Sequence, residues 1–221
     1  MTRIKICGIT RAEDALTAAL AGADALGFNF SKKSPRLVSP DTAREIIAAL
    51  PPLVTPVGIF VEQSAEEINE LCRYCGLQIA QLHSDEYSPE ATMRIHGTKV
   101  IRVFRPGPGF SVNEVRTYAE QTGCRGFLFD AFSPAMAGGT GETIESSTAS
   151  MLFEQTRDIG WALLAGGLNP ENVADAVRLI NPWGVDTASG VESAPGIKDA
   201  RKITSFIQAV REVDRMLTAA D

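Results

Sequence analysis

Trp161-Ala-Leu-Leu-Ala165 runs into Gly166-Gly167-Leu168-Asn169-Pro170, and Gly184-Val-Asp-Thr187 runs into Ala188-Ser189-Gly190-Val191-Glu192. Each is a short apolar or β-branched run closed by a glycine loop, with a segment of helical apolar spacing between them. Strand, helix and strand in that order imply parallel pairing through a right-handed crossover. Working outward, the same alternation reaches both ends of the chain. The strand candidates are Arg3–Ile9, Ala23–Phe30, Pro56–Val61, Leu77–His83, Lys99–Phe104, Gly126–Ala131, Trp161–Ala165 and Gly184–Thr187. Helical spacing follows each, as with Ala15, Ala18 and Ala19 after the first and Ile203, Phe206, Ile207 and Val210 after the last. Eight such pairs in 221 residues predict an α/β fold, a single (β/α)8 TIM barrel with a parallel eight-stranded sheet and one domain over residues 1–221, since barrels of this kind need ~200 to 400 residues. Ser39-Pro40 and Asn169-Pro170 each place a capping side chain before a proline suited to the first helical turn. Ser64-Ala-Glu-Glu67 reads as a capping box.

Composition narrows the function classes. Apolar residues make up 44% and charged residues 22% of the chain, enough for a large core and without the marks of disorder. Apolar runs are broken well short of the ~20 residues that span a bilayer, and the N-terminus carries a basic alternating strand where a signal peptide would have its apolar region. A cytoplasmic protein without membrane segments is expected. Four cysteines, at 7, 72, 75 and 124, are too few and too unevenly spaced for a disulfide scaffold and suit a reducing compartment. The net charge is −6 without a Lys/Arg cluster, which argues against nucleic-acid binding and requires local donors for any anionic substrate.

Barrels place their chemistry at the carboxyl ends of strands and in the loops that follow. That rule selects Cys7, Arg36, His83, Arg105, Asp130, the loop Gly138-Gly139-Thr140-Gly141, Gly166-Gly167 and Ser189-Gly190. Glycine lets backbone N–H groups approach phosphate oxygens, and the loops after the seventh and eighth strands form the phosphate site in many barrels. One glycine pair alone reads equally as a tight turn; three at one end favour a phosphorylated small molecule. Cys7 ends the first strand beside Gly8, where a lone cysteine could otherwise be a small core hydrophobe. Asp130 follows the apolar Gly126-Phe-Leu-Phe129, a place for a carboxylate that is paired, used, or capping the next loop. A thiol and a carboxyl facing one another form a workable acid–base pair, although ordinary values of about 8.5 and 3.9 favour the opposite protonation states to a thiolate and a protonated acid. Raising Asp130 to about 7 costs about 4 kcal/mol, within reach of desolvation. Cys72-Arg-Tyr-Cys75 has C-x-x-C spacing but lies in a helical segment without a second pair or a nearby histidine, so no metal site is assigned. Cys124 and His96 precede strands, at the end of the barrel away from the chemistry.

These residues resemble phosphoribosylanthranilate isomerases. The resemblance is carried by Lys5-Ile-Cys-Gly-Ile-Thr10, Gly27-Phe28 with Ser34-Pro-Arg36, Val57-Gly-Ile-Phe-Val61, Gln81-Leu-His83, Asp130 with Gly138-Gly-Thr-Gly141, Leu164-Ala-Gly-Gly-Leu168, and Asp186 with Ser189-Gly-Val-Glu192. It implies a cofactor-free Amadori rearrangement of N-(5-phosphoribosyl)anthranilate, with Asp130 protonating the ring oxygen and Cys7 removing the C2 proton. By the same resemblance Arg36 faces the anthranilate carboxylate, Gly167, Ser189 and Gly190 hold the phosphate through backbone N–H groups, and His83 lines the site or is a buried, hydrogen-bonded histidine; Gly139, Gly141 and Gly166 are substrate-binding candidates from the glycine-loop reading. Monomer and homodimer are both compatible with it. Ser84, where the family usually has Gly, and Ile144-Glu-Ser, where it usually has Phe-Asp/Asn-Trp, depart from the pattern. Two rivals are a related sugar-phosphate isomerase of the histidine pathway, in which Asp is expected at the position of Cys7, and a phosphate-ligand binder without chemistry, which needs neither Cys7 nor Asp130.

Overall fold

The computed structural model describes residues 1–107, 109–130 and 146–219. Eight parallel strands close on themselves in chain order: β1 Arg3–Ile6, β2 Ala25–Asn29, β3 Thr55–Phe60, β4 Ile79–Leu82, β5 Lys99–Phe104, β6 Gly126–Asp130, β7 Trp161–Ala165 and β8 Gly184–Thr187. The helices between and after them are α1 Ala12–Ala21, α2 Pro40–Ala48, α3 Ala65–Cys75, α4 Pro89–Met93, α5 Val112–Thr122, α6 Ser146–Thr156, α7 Val173–Ile180 and α8 Ala200–Thr218. The expected (β/α)8 architecture is the one observed.

Alternation along the strands divides the interior into two layers. Ile4, Ile6, Leu26, Phe28, Phe127 and Phe129 point outward and pack beneath the helices with Ile68, Val115, Val177 and Phe206. Ile101, Val103, Leu128, Leu163 and Ala165 form a smaller cluster inside the barrel. Inward positions on the remaining strands mix apolar Val57 and Ile59 with polar Lys5, Gln81 and Asp186, all buried. The barrel thus has an apolar outer core and a partly charged centre.

Several strands stop earlier than their composition predicts, and the reason is local. β1 ends at Ile6, because Gly8 takes a φ of 77° and turns the chain, leaving Cys7 as the first residue beyond the strand. β4 ends at Leu82, with His83 held by its N–H to the Phe60 carbonyl at 2.9 Å. Ser39 and Ser64 cap α2 and α3 as predicted, Ser64 within a full capping box. Asn169-Pro170 does not open a helix. The Asn169 side chain accepts from the N–H groups of Glu171 and Asn172, a local turn that competes with helical capping, and α7 begins at Val173. An antiparallel hairpin, β9 Glu192–Ala194 with β10 Ile197–Lys198, follows β8 and was not evident from alternation because its strands are so short.

The two ends of the chain are tied together. Buried Asp214 on α8 accepts from Thr2 N–H at 3.0 Å and from Thr2 Oγ1 at 2.8 Å. Removing the carboxylate leaves those buried donors unpaired. Asp214→Ala is therefore expected to lower unfolding free energy by about 2 to 3 kcal/mol in urea titrations; a loss under about 0.5 kcal/mol contradicts this account of the tie.

Candidate active site

The carboxyl ends of the strands bring Cys7, Asn29, His83, Arg105, Asp130 and the loops after β7 and β8 to one mouth. Cys7 is held through its N–H to the Thr187 carbonyl at 2.8 Å, across the seam between β1 and β8. A Cβ at Gly8 would collide with the Arg36 Cδ. Glycine is therefore needed both for the left-handed turn and for the arginine stem that lies over it.

Arg36 does not stand alone facing the mouth as its position suggested. Its Nε and Nη2 donate to Glu192 Oε1 and Oε2, each at 2.8 Å. Glu192 also accepts from Lys198 Nζ at 2.9 Å, and Lys198 reaches the Ala188 carbonyl at 3.0 Å. The carboxylate sits 7% exposed between two cations. Burial works to raise its pKa, but the Arg36 and Lys198 contacts outweigh that and lower it. The guanidinium is thereby oriented by its side edge, with Nη1 outside that bidentate contact.

Under Cys7 lies Lys5, 1% exposed, whose Nζ is 2.7 Å from Asp186 Oδ1. Burial works against the ammonium, yet Asp186 and Cys7 outweigh it and raise its pKa, so the lysine is charged. Burial pushes the Cys7 thiol up, opposed by Lys5 and Lys198 and reinforced by Asp186. Burial also raises Asp130, against Arg105 and Lys5 and with Asp186. The Asp130 shift is in the direction an acid needs. The Cys7 shift runs against a resting thiolate.

His83 is held by groups that the sequence analysis did not connect with it. Arg105 Nη1 donates to its carbonyl at 2.9 Å, and Arg105 Nη2 lies 3.3 Å from its Nδ1. The Gln81 carboxamide lies 2.6 Å from its Nε2. With a donor at Nδ1, a neutral ring carries its proton on Nε2, and the carboxamide oxygen is the group that accepts it. Arg105 is thus engaged at the mouth although exposed to solvent. Arg102, on the outward face of β5, lies over the Phe104 and Tyr118 rings and donates to the Ser84 carbonyl at 2.5 Å. Ser84 Oγ accepts from Glu86 N–H at 3.2 Å, so the serine that departs from the family pattern stabilises its own loop.

At β7 and β8, Gly166 and Gly167 both take positive φ, 95° and 67°. A Cβ at Gly190 would strike the Leu168 carbonyl oxygen, and Thr187 Oγ1 donates to the same carbonyl at 2.6 Å. The two loops are thereby locked side by side. No described residue accepts from the backbone N–H of Gly167, Ser189 or Gly190. Gly139 and Gly141, in the third predicted loop, and Ile144-Glu145 lie outside the described residues. Cys72 and Cys75 are buried on α3, and no group of three or more potential metal ligands occurs among the described residues. No described helix is long and apolar enough to cross a membrane. A recess of about 1180 Å³ opens at the opposite end of the barrel beside Cys124, Trp161 and Trp183 and reaches inward as far as Lys5.

Lys5, Gln81, Arg102, Glu192 and Lys198 are site neighbours to which the sequence alone assigned no role. Lys5 and Gln81 carried a signal, since a charge or amide at an inward strand position must find a partner. Burial and the cations Lys5, Arg105 and Arg102 depress the His83 pKa to about 3. Between that value and the ordinary 6.5 the unfolded chain binds the extra proton, so this group's contribution to stability falls as pH drops through the window. Nitrogen NMR should show a neutral His83 protonated on Nε2 from about pH 5 to 8; a midpoint near 6.5 contradicts the assignment.

The sequence matches the family model for N-(5'phosphoribosyl)anthranilate (PRA) isomerase over residues 4–209. It is 97% identical over 221 residues to the N-(5'-phosphoribosyl)anthranilate isomerase of Chlorobaculum parvum, covering 100% of both chains. The crystal structure of phosphoribosyl anthranilate isomerase from Thermotoga maritima is similar, with 37% identity and a TM-score of 0.82 over 96% of this chain and 100% of that one. A further phosphoribosyl anthranilate isomerase structure, in complex with reduced 1-(o-carboxyphenylamino)-1-deoxyribulose 5-phosphate, aligns with a TM-score of 0.80 at 36% identity, over 96% of this chain and 100% of that one. With its barrel closed and its glycine loops and mouth residues at one end, the chain belongs to the N-(5'-phosphoribosyl)anthranilate isomerase family.

Proposed function

We propose that this chain converts N-(5'-phosphoribosyl)anthranilate to 1-(2-carboxyphenylamino)-1-deoxyribulose 5-phosphate in tryptophan biosynthesis, with Asp130 as general acid and Cys7 as general base. The observation that carries the reading is that a carboxyl raised by burial and a thiol beside a buried ammonium share one barrel mouth with two glycine loops, in a chain that matches the family over nearly its whole length.

The protonated Asp130 gives its proton to the ring oxygen as the C1–O bond breaks, and the anthranilate nitrogen lone pair forms C=N. Cys7, as thiolate, takes the C2 proton, and the electrons of that bond form C1=C2 while neutralising the nitrogen. The enolamine becomes the ketone as its C2 hydroxyl proton leaves and C1 gains one. No atom is gained or lost overall. Gly166, Gly167, Ser189 and Gly190 surround the phosphate, with backbone N–H groups as donors. Arg36 keeps its side edge on Glu192 and offers Nη1 with the second proton of Nη2 to the substrate carboxylate, a bidentate pairing suited to guanidinium. A neutral His83 lines the pocket without adding charge.

Raised Cys7 and Asp130 values mean that the resting pair is a thiol with a carboxylate over most of the range between their midpoints. The reactive pair, thiolate with protonated acid, is the minority form. A fluorescence assay with freshly generated substrate tests the roles. Cys7→Ser and Asp130→Asn should each lose about 10²- to 10⁴-fold in kcat/KM with circular dichroism unchanged. Arg36→Ala should act chiefly on KM, by about 10- to 100-fold. Near-normal turnover in either of the first two contradicts the mechanism.

A further inference from the structure

The polar centre of the barrel contains one buried ion pair that the reaction as written does not use. Lys5 and Cys7 lie two residues apart and share the inward side of the chain, so their Cα atoms are separated by about 6.6 Å along the strand direction. Asp186 stands in register opposite Lys5 on β8, with Nζ and Oδ1 at 2.7 Å. The order β6, β7, β8, β1 around the closed barrel puts Asp186 between the strand of Asp130 and the strand of Lys5 and Cys7. The pair is therefore an oriented dipole inside a low-dielectric core, ammonium on the thiol side and carboxylate on the acid side.

We propose that Lys5 and Asp186 are positioning residues for the acid–base step, the ammonium favouring the Cys7 thiolate and the carboxylate keeping the proton on Asp130. The proposal rests on the assignment of Cys7 as base and Asp130 as acid. Other charges face the same groups: Lys198 and Arg36 at Cys7, and Arg105 at Asp130. Among charged neighbours Lys5 acts most strongly on Cys7, with Asp186 weaker and opposed. At Asp130 the order of the pair reverses, Asp186 acting more strongly than Lys5.

The consequence is multiplicative. When the base titrates above the acid, the fraction of enzyme holding both a thiolate and a protonated acid falls tenfold for each unit that separates the two midpoints. Lys5 narrows the gap from above and Asp186 from below. A neutral pair of similar size would widen it from both sides. Ordinary structural support predicts something else, because a loosened core admits water, and relief from burial lowers both midpoints together.

The test is the double variant Lys5→Met/Asp186→Asn, which leaves no uncompensated buried charge. Cys7 is titrated by the pH dependence of iodoacetamide labelling read on its own peptide, and Asp130 by carbon NMR of its carboxyl against Asp130→Asn. The Cys7 midpoint should rise and the Asp130 midpoint fall, by a combined separation of about one unit or more. The kcat/KM plateau should drop by about tenfold per unit. Unmoved midpoints, or both moving down, overturn the proposal whatever the turnover. Opposite shifts with unchanged kcat/KM also overturn it, and locate the failure in the acid–base assignment. Where the double variant does not fold, Lys5→Gln reads the Cys7 arm alone: a raised midpoint is expected and an unmoved one overturns the proposal.

Discussion

The seam between β1 and β8 is the constraint on which the site depends. Four residue pairs, from Arg3 opposite Gly184 to Ile6 opposite Thr187, close the barrel. The Lys5–Asp186 ion pair crosses that seam at its third step. Thr187 then holds both Cys7, through its carbonyl, and the β7 loop, through its hydroxyl on the Leu168 carbonyl. Thiol, glycine loops and charged centre are therefore set by one strand pairing. A buried pair of this kind is weak evidence for stability, since desolvation offsets much of its Coulomb gain. Its placement between Cys7 and Asp130 is better explained by electrostatics than by folding energy.

A second set of charges gathers cations at the mouth of a chain whose net charge is −6. Arg36, Lys198, Lys5 and Arg105 converge on the mouth, while Glu192 and Asp186 each hold cations there by direct contact. Glu192 pairs with one edge of Arg36 and fixes the fork, so the free edge is presented without the entropy of ordering a long side chain. Burial and neighbouring cations keep His83 neutral, so it contributes shape and a hydrogen-bonding face.

Much of this architecture was legible before the fold was known, for identifiable reasons. Strands such as Lys99–Phe104 and Trp161–Ala165 have sharp composition edges, and their bounds agree residue for residue. Ser39 and Ser64 were legible because a cap depends only on the next three residues. Asn169 misled because the same side chain can close a turn instead. The strand-end rule located Cys7 and Asp130, since one barrel determines where all its strand ends meet. Pairings between distant residues were not legible. Lys5 and Asp186 are 181 positions apart, and Arg36 and Glu192 are 156 apart. Local pattern cannot tell which inward charges will meet when the barrel closes. Arg36 was a candidate from its place after the second strand and from the family motif, but its carboxylate partner within the chain could come only from the three-dimensional arrangement.

The most direct test of the central claim, that a raised thiol and a raised carboxyl react from their minority protonation states, is the pH dependence of kcat/KM for wild type beside Asp130→Asn, from about pH 5 to 10. Wild type should be flat between the Asp130 and Cys7 midpoints, because each proton lost from the thiol is matched by one needed on the acid. With no acid to titrate, the residual activity of Asp130→Asn should instead climb about tenfold per pH unit until Cys7 ionises. A flat residual profile in the variant across that range would contradict both the pairing and the roles assigned to the two groups.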